Sequence, residues 1–351
     1  MSWPPPLTVW EQEKVLAALN SGRLTDGPWT EAAEDALAGM VGARCAVAFS
    51  SCTAAIHAAL AARDVGQGSR VAAPSWTFVG TWTGAAHLGA EPVLVDVDWD
   101  QHTVVGDVPD GVDAAVAVDL HGAPHGWNRA EVVTDACQAL GTEGVGRGGT
   151  HCWSFSSAKG LPAPAGGAVT TDDVREAVRL RHLRDYGLQA GEARAVGDVI
   201  ERAGHNWRPT EPDMALVASR LQTFPERWWP RMRSTGERLR RAAEEAGWWV
   251  QTPPAGVVPV WHKIRVGAPV FVNRLIVEFE RRGVAVHRWG RPLGSMRAWR
   301  QPDGHWPVAA DLFAHTVCLG TESEPFWTWP PSRVDHTIEV LSQVAARLEL
   351  G

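Results

Sequence analysis

The sequence predicts an α/β protein with a mostly parallel central sheet covered by helices on both faces, followed by a smaller C-terminal α+β domain. Two observations carry this expectation. Between residues 43 and 171, short apolar runs alternate with helical segments. That is the pattern of parallel strands buried on both faces and joined by crossover helices. From about Pro212 onward the helical segments lengthen and fill with Arg. A chain of 351 residues is long enough for one large and one smaller domain, drawn here at 1–230 and 231–351.

The elements follow in order. Thr8-Val-Trp-Glu11 is a capping box that opens a helix running to Gly22. A second helix is expected from about Thr30 to Met40. ARCAVAFS (43–50) reads as a buried strand and AAIHAALAARDV (54–65) as a helix. RVAAPSW is a strand, TFVGTWTGAAHLG a helix and EPVLVDVD a strand. DAAVAVDL (113–120) and EVVTDA (131–136) are two more strands. GGAVTT (166–171) is another, followed by a helix from about Asp172 to Tyr186. The stretch HGAPHGWNRAE between two of these strands is hardly long enough for a full crossover helix. In the C-terminal part, VPVWHKIRV (258–266) and GVAVHRW read as strands, with a helix near 269–282 and a last one over SRVDHTIEVLSQVAARLEL.

Composition excludes several classes. A net charge of -7 argues against nucleic acid or anionic membranes as partners. No apolar run approaches the roughly 18 residues that span a bilayer, and MSWPPPLTVWEQEK carries no secretion signal pattern. The five cysteines are odd in number and show no CxxC spacing, which fits reduced thiols in a cytoplasm better than disulfides or zinc. The 13 His show no HExxH-type pairing, so no metal site is expected. GVGRGG (144–149) mimics a dinucleotide loop but follows no strand and opens no helix, so it reads as a turn.

Ligands of open α/β sheets sit at the carboxyl ends of the strands. Three such ends carry polar groups. Ser50 passes through Ser51-Cys52-Thr53 straight into a helix, whose N–H groups and dipole suit an anion; plain capping by Ser or Thr is the competing reading. Asp135 ends an apolar strand and is either a cap or a functional carboxylate. Lys159 lies in "SFSSAKGLPAPAGG", five residues after Ser154, and is one of three lysines in a chain that otherwise writes positive charge as Arg. An anion cup, a strand-end Asp and a Lys, in this order, are the set that pyridoxal phosphate (PLP) requires. The Lys forms a Schiff base, the acid keeps the pyridine nitrogen protonated and the cup takes the phosphate. Arginine cannot replace that Lys, because its guanidinium stays protonated.

With these residues in place, the sequence resembles the PLP-dependent sugar aminotransferases of the DegT–StrS group, within the aspartate-aminotransferase fold (PLP fold type I). The likeness begins at "LNSGRLTDGPWTEAAEDALAGMVGARCAVAFSSCTAAIHAAL" and continues through "VAAPSWTFVGTWTGAAHLGAEPVLVDVD". It then covers "DACQALG", "WSFSSAK", "GGAVTT", "LRDYG" and "GHNWRPTEPDMALVASRLQ". The resemblance implies that Lys159 carries the cofactor and shuttles protons, and that Asp135 pairs with the pyridinium nitrogen. It places Gln138 near the phenolic oxygen, Cys52, Thr53 and Ser154 around the phosphate, and Trp76 against the ring. It implies a homodimer in which Asn206, assisted by Arg208, reaches the phosphate of the other subunit. The implied reaction moves an amino group from an amino acid (glutamate or glutamine) to a keto sugar, keto-cyclitol or related ketone in a biosynthetic pathway.

The sequence departs from the family's usual pattern at several points. Cys52 stands where a Gly is usual, and Ala165 where a Glu is usual. The spans from Asp119 to Asp135 and from Asp135 to Lys159 are short. Two other readings stand beside transamination. One is a dehydratase or other elimination on the same scaffold, against which Lys159 argues, since relatives that dehydrate sugars carry His there. The other is a catalytically silent regulatory homologue, against which the intact Asp135, Gln138 and Lys159 argue.

Overall fold

The computed structural model describes residues 3–127, 132–188, 203–299, 301 and 304–350. The chain opens with two helices, α1 (Val9–Asn20) and α2 (Pro28–Val41). The capping box forms: Thr8 Oγ1 accepts from the Glu11 amide at 3.2 Å, and Glu11 returns a carboxylate to the Thr8 amide at 2.7 Å. Two strand–helix pairs follow, β1 (Cys45–Phe49) with α3 (Cys52–Ala61) and β2 (Arg70–Pro74) with α4 (Val79–His87). Then come β3 (Glu91–Val95), β4 (Ala114–Val118), β5 (Val132–Asp135), β6 (Thr150–Ser154) and β7 (Gly167–Thr171), closed by α5 (Val174–Arg184).

These strands make one seven-stranded sheet in the order β1-β7-β6-β5-β4-β2-β3. Strands β6, β5, β4, β2 and β3 pair in parallel, while β7 runs antiparallel to both β1 and β6. This agrees with the mostly parallel sheet read from the sequence, with one strand reversed. The reversal has a consequence for the site. The start of β7 lies at the same edge as the carboxyl ends of the others, so Gly167 is paired with both Phe49 and Ser154.

The sheet forms because its central strands are apolar throughout. All five residues of β4 are buried, as an Ala-Ala-Val-Ala-Val run needs when both faces are covered. Helix α3 follows the same logic. It is apolar around its circumference, and every residue from Ala54 to Ala61 is buried. Its approach to α4 depends on Gly84, where a Cβ would lie 2.8 Å from the His57 amide nitrogen.

The remaining elements build the C-terminal part. They are α6 (Glu211–Arg227), α7 (Trp229–Glu245), β8 (Trp249–Val250), β9 (Arg265–Gly267), α8 (Val272–Glu280), β10 (Val286–His287), α9 (Pro307–His315), β11 (Thr316–Leu319) and α10 (Pro331–Leu348). A second, antiparallel sheet runs β10-β11-β9-β8. The strand expected over 258–266 is mostly not a strand. Val260 instead gives its amide to Thr142 Oγ1, and His262 gives its amide to the His121 carbonyl. This segment straps the second sheet to the loops after β4 and β5. Strands β6, β8 and β11 and helix α9 were not expected from the sequence. No helix among the described residues is long and apolar enough to cross a membrane.

Candidate active site

A cavity of about 290 Å³ opens at the carboxyl ends of the parallel strands. Each wall comes from a different strand end. After β1, Ser51 caps α3, its Oγ accepting from the Ala54 amide at 3.2 Å. Cys52 and Thr53, both lining the cavity, occupy the first turn, where amides have no intrahelical acceptor. Two amides and the positive end of a helix therefore face the space, which suits an anion. Gly167 permits this arrangement. A Cβ there would meet the Cys52 nitrogen at 2.3 Å and the Ser51 carbonyl carbon at 2.4 Å, so only glycine lets β7 pass the helix start.

Asp135 stands at the end of β5, 6% exposed and lining the cavity. Thr81 Oγ1 donates to its Oδ2 at 2.6 Å, and the Cys137 amide donates to its Oδ1 at 3.1 Å. Both donors are neutral, and among the described residues Asp135 has no ion-pair partner. A buried carboxylate left in this state is stabilised by a cationic N–H donor. A protonated pyridine nitrogen is such a donor, and the adjacent helix N-terminus matches a phosphate. The residues present thus fit PLP.

Lys159 lines the same cavity, beyond Ser154 at the end of β6. Its backbone N–H donates a hydrogen bond to the Ser156 carbonyl at 2.9 Å. Among the described residues its amine enters no ion pair. Ser154 Oγ accepts a long bond from the Ser156 amide at 3.4 Å and donates another to Ser156 Oγ at 3.5 Å, both weak enough for a ligand to displace. Gln138 Oε1 accepts from the His121 amide at 2.8 Å. His121 holds a left-handed backbone, φ 60°, a conformation that is costly outside glycine and persists where the surroundings enforce it. Its ring is buried between Gln251 and Arg265. Arg265 donates to Nε2, so the ring proton sits on Nδ1 and is given to Gln251 Oε1. Burial, with Arg265 alongside, holds the His121 pKa well below the usual value.

Six of the sequence-predicted site residues therefore meet around one cavity: Cys52, Thr53, Asp135, Gln138, Ser154 and Lys159. Two do not. Trp76 is 1% exposed and turned away from the space. Its Nε1 donates to the Gly290 carbonyl at 2.7 Å, and Arg265 lies 3.9 Å from its ring centroid. The aromatic side chain on the cavity wall is Phe78, 61% exposed. In a regular strand Trp76 and Phe78, two positions apart, would share a side, but the chain bends over residues 75–77 after β2, and PSWTF offers two aromatic positions of equal sequence merit. Asn206 is exposed and outside the cavity, in a bridge with Asp185. Arg208 is engaged by Asp185 and Asp26. Ala165, at the position of the family's usual Glu, lines the cavity.

Sequence reasoning missed Phe78, Thr81 and Cys137. Only the spacing of Thr77 and Thr81, four apart at the start of a helix, signals that both hydroxyls share a face.

The profile of the DegT/DnrJ/EryC1/StrS aminotransferase family matches residues 7–325. An aminotransferase from Psychrobacter cryohalolentis has a solved structure that superposes with a TM-score of 0.87, at 23% identity over 99% of both chains. DesV from S. venezuelae, solved in complex with a ketimine intermediate, gives 0.85 at 25% identity over 95% of this chain and 94% of that one. The PLP form of a putative sugar aminotransferase from Streptococcus pneumoniae gives 0.83 at 19% identity over 99% of both chains.

Proposed function

The chain belongs to the DegT/DnrJ/EryC1/StrS aminotransferase family, and we propose that it transfers an amino group from glutamate or glutamine to a keto sugar, keto-cyclitol or related ketone. It is a PLP-dependent enzyme. The observation that carries the reading is the lining of one cavity by the helix end at Cys52–Thr53, the buried Asp135 and the Lys159 amine.

PLP supplies a reactive carbonyl carbon for the Schiff base and an electron sink when bound. The rest falls to the protein. The amides of Cys52 and Thr53 and the Ser154 hydroxyl would hold the phosphate. The Asp135 carboxylate, fixed by Thr81, would accept the pyridine N–H and keep that proton in place. Phe78 and Gln138 would border the ring. Lys159 Nζ would hold the cofactor and serve as the group that takes and returns a proton beside it. Asn206, exposed and outside its own cavity, serves the site of a second subunit in a homodimer.

An absorbance spectrum tests this. The purified protein with PLP should show a visible band that borohydride removes, with the added mass on the peptide bearing Lys159. Glutamate or glutamine should then convert the cofactor to its amine form. Lys159→Ala should abolish transfer while still holding PLP without a covalent bond. A protein that ignores added PLP, or a Lys159→Ala variant with near wild-type turnover, overturns the reading.

A further inference from the structure

Two thiols share the floor of the cavity. Cys52 Sγ and Cys137 Sγ lie 2.8 Å apart, although the residues are 85 positions apart in sequence. Both line the cavity, and all five cysteines are free thiols. The separation is well inside the contact distance of two unbonded sulfurs, and a disulfide of about 2.05 Å needs only a further small approach. A soft metal ion suits the pair less well, because two thiolates on one tetrahedral ion stand further apart than this.

The position of each thiol gives the pair leverage on the cofactor site. Cys52 begins α3, the helix end that faces the anion. Its backbone is hemmed in by Gly167, so it cannot retreat. Cys137 is the residue whose amide holds Asp135 Oδ1. A covalent link between them therefore draws on the Cys137 backbone, and through it on the orientation of the Asp135 carboxylate.

We propose that Cys52 and Cys137 form a redox modification site: in the cofactor-free protein a small oxidant that reaches the cavity joins them in a disulfide that ties the anion-binding end of α3 to the Asp135 loop and weakens cofactor binding. With hydrogen peroxide, two S–H bonds break, one S–S bond forms, and peroxide takes up two electrons and two protons to leave as two waters. With diamide, the azo bond takes the same electrons and protons and becomes a hydrazine. Burial pushes the Cys52 thiol pKa up to about 11 and that of Cys137 above its usual value. Each thiol alone is then a poor nucleophile, and selectivity comes from proximity. The effect on the cofactor rests on the PLP reading above; formation of the disulfide does not.

The test treats cofactor-free and PLP-loaded protein with diamide and maps the products by mass spectrometry without reduction. The expected product is an intramolecular Cys52–Cys137 link in the cofactor-free protein, with fragment spectra separating Cys52 from Cys45. Titratable thiols should fall by two, and PLP should slow the reaction. The oxidised protein should bind PLP about tenfold more weakly by absorbance titration and recover with dithiothreitol. In Cys137→Ser the link and the thiol loss should both vanish. A wild-type protein with all thiols free, or one linked instead through Cys152 or between molecules, overturns the site. A Cys52–Cys137 link with unchanged PLP affinity overturns its effect on binding. If the reduced protein fails to bind PLP at all, the cofactor reading falls, and the peptide map still decides the disulfide.

Discussion

Thr81 on α4 donates its single hydroxyl proton to Asp135 on β5, 2.6 Å away. A carboxylate can only accept, so the second bond of Thr81, to Thr77 Oγ1 at 2.8 Å, must be donated by Thr77. The pair forms a directed chain that ends on the carboxylate. Thr81→Val keeps the shape and removes the donor. A hydrogen bond to a charged group contributes about 1.5–3 kcal/mol, so cofactor affinity should fall roughly tenfold or more. Thr81→Ser should restore most of it. An absorbance titration with PLP reads both, and equal affinity in Thr81→Val and the wild type would remove Thr81 from the site.

The two aromatics of PSWTF should separate cleanly by experiment. Trp76 is packed beneath Arg265 and bonded to Gly290, so Trp76→Ala should cost about 3–5 kcal/mol of stability, as large core truncations do. Phe78 is mostly exposed, so Phe78→Ala should leave the urea midpoint nearly unchanged and raise the Kd for PLP several-fold. The opposite assignment of stability and affinity losses would restore Trp76 to the site.

These aromatics also show where sequence legibility stops. The buried run of β4 and the capping box of α1 are local signals, and both elements stand where the sequence put them. The side to which Trp76 turns is set by Arg265 and Gly290, about two hundred positions away, and no local pattern records that. Strand β6 was missed for a similar reason. Its Thr150 reads as polar, yet it is buried because its hydroxyl donates to Glu176 and accepts from Arg63. Lys159, Asp135 and the start of α3 were legible because each must follow a strand end in chain order. Phe78 and Thr81 answer to the same cavity but carry no such mark.

Folding stability should carry a pH signature from Asp119. Burial, with Asp135 nearby, pushes its pKa up to about 7, although the His125 amide donates to it. His125 lies 4.0 Å away but stays neutral at pH 7, since burial takes its own pKa down to about 4. The unfolded pKa of Asp is roughly 3.9. Between about pH 4 and 7 the folded form therefore holds a proton that the unfolded form has lost. On this account stability falls as pH rises through that window, by at most about 1.4 kcal/mol per unit, and stays lowered above it. His125, His151 and His287, with depressed values near 4, act in the opposite sense, so the readout is a difference. Asp119→Asn should gain stability relative to wild type as pH rises from 5 to 8, measured by urea midpoints. A constant difference across that range would refute the raised value.

Glu211 should matter more to the fold than its place at a helix start suggests. It is 1% exposed, and its carboxylate reaches across to the beginning of α2. There it accepts from the amides of Trp29 at 2.9 Å and Thr30 at 3.0 Å, and from the Thr30 hydroxyl. Gly27, the residue before α2, has no room for a Cβ because Glu211 fills that space. No side chain of α2's own N-cap satisfies these amides, so the remote carboxylate does, and its charge also suits the positive helix end. Glu211→Ala strands the buried amide and hydroxyl of Thr30, each about 1–3 kcal/mol when unsatisfied, and the partly buried amide of Trp29, which water can reach. The variant should lose about 2–4 kcal/mol in a urea titration, while folded protein should keep its PLP affinity, since Glu211 does not line the cavity. Glu211→Gln, which keeps the acceptor oxygen and drops the charge, should recover part of the loss. A Glu211→Ala protein as stable as wild type would show that water replaces the carboxylate without cost.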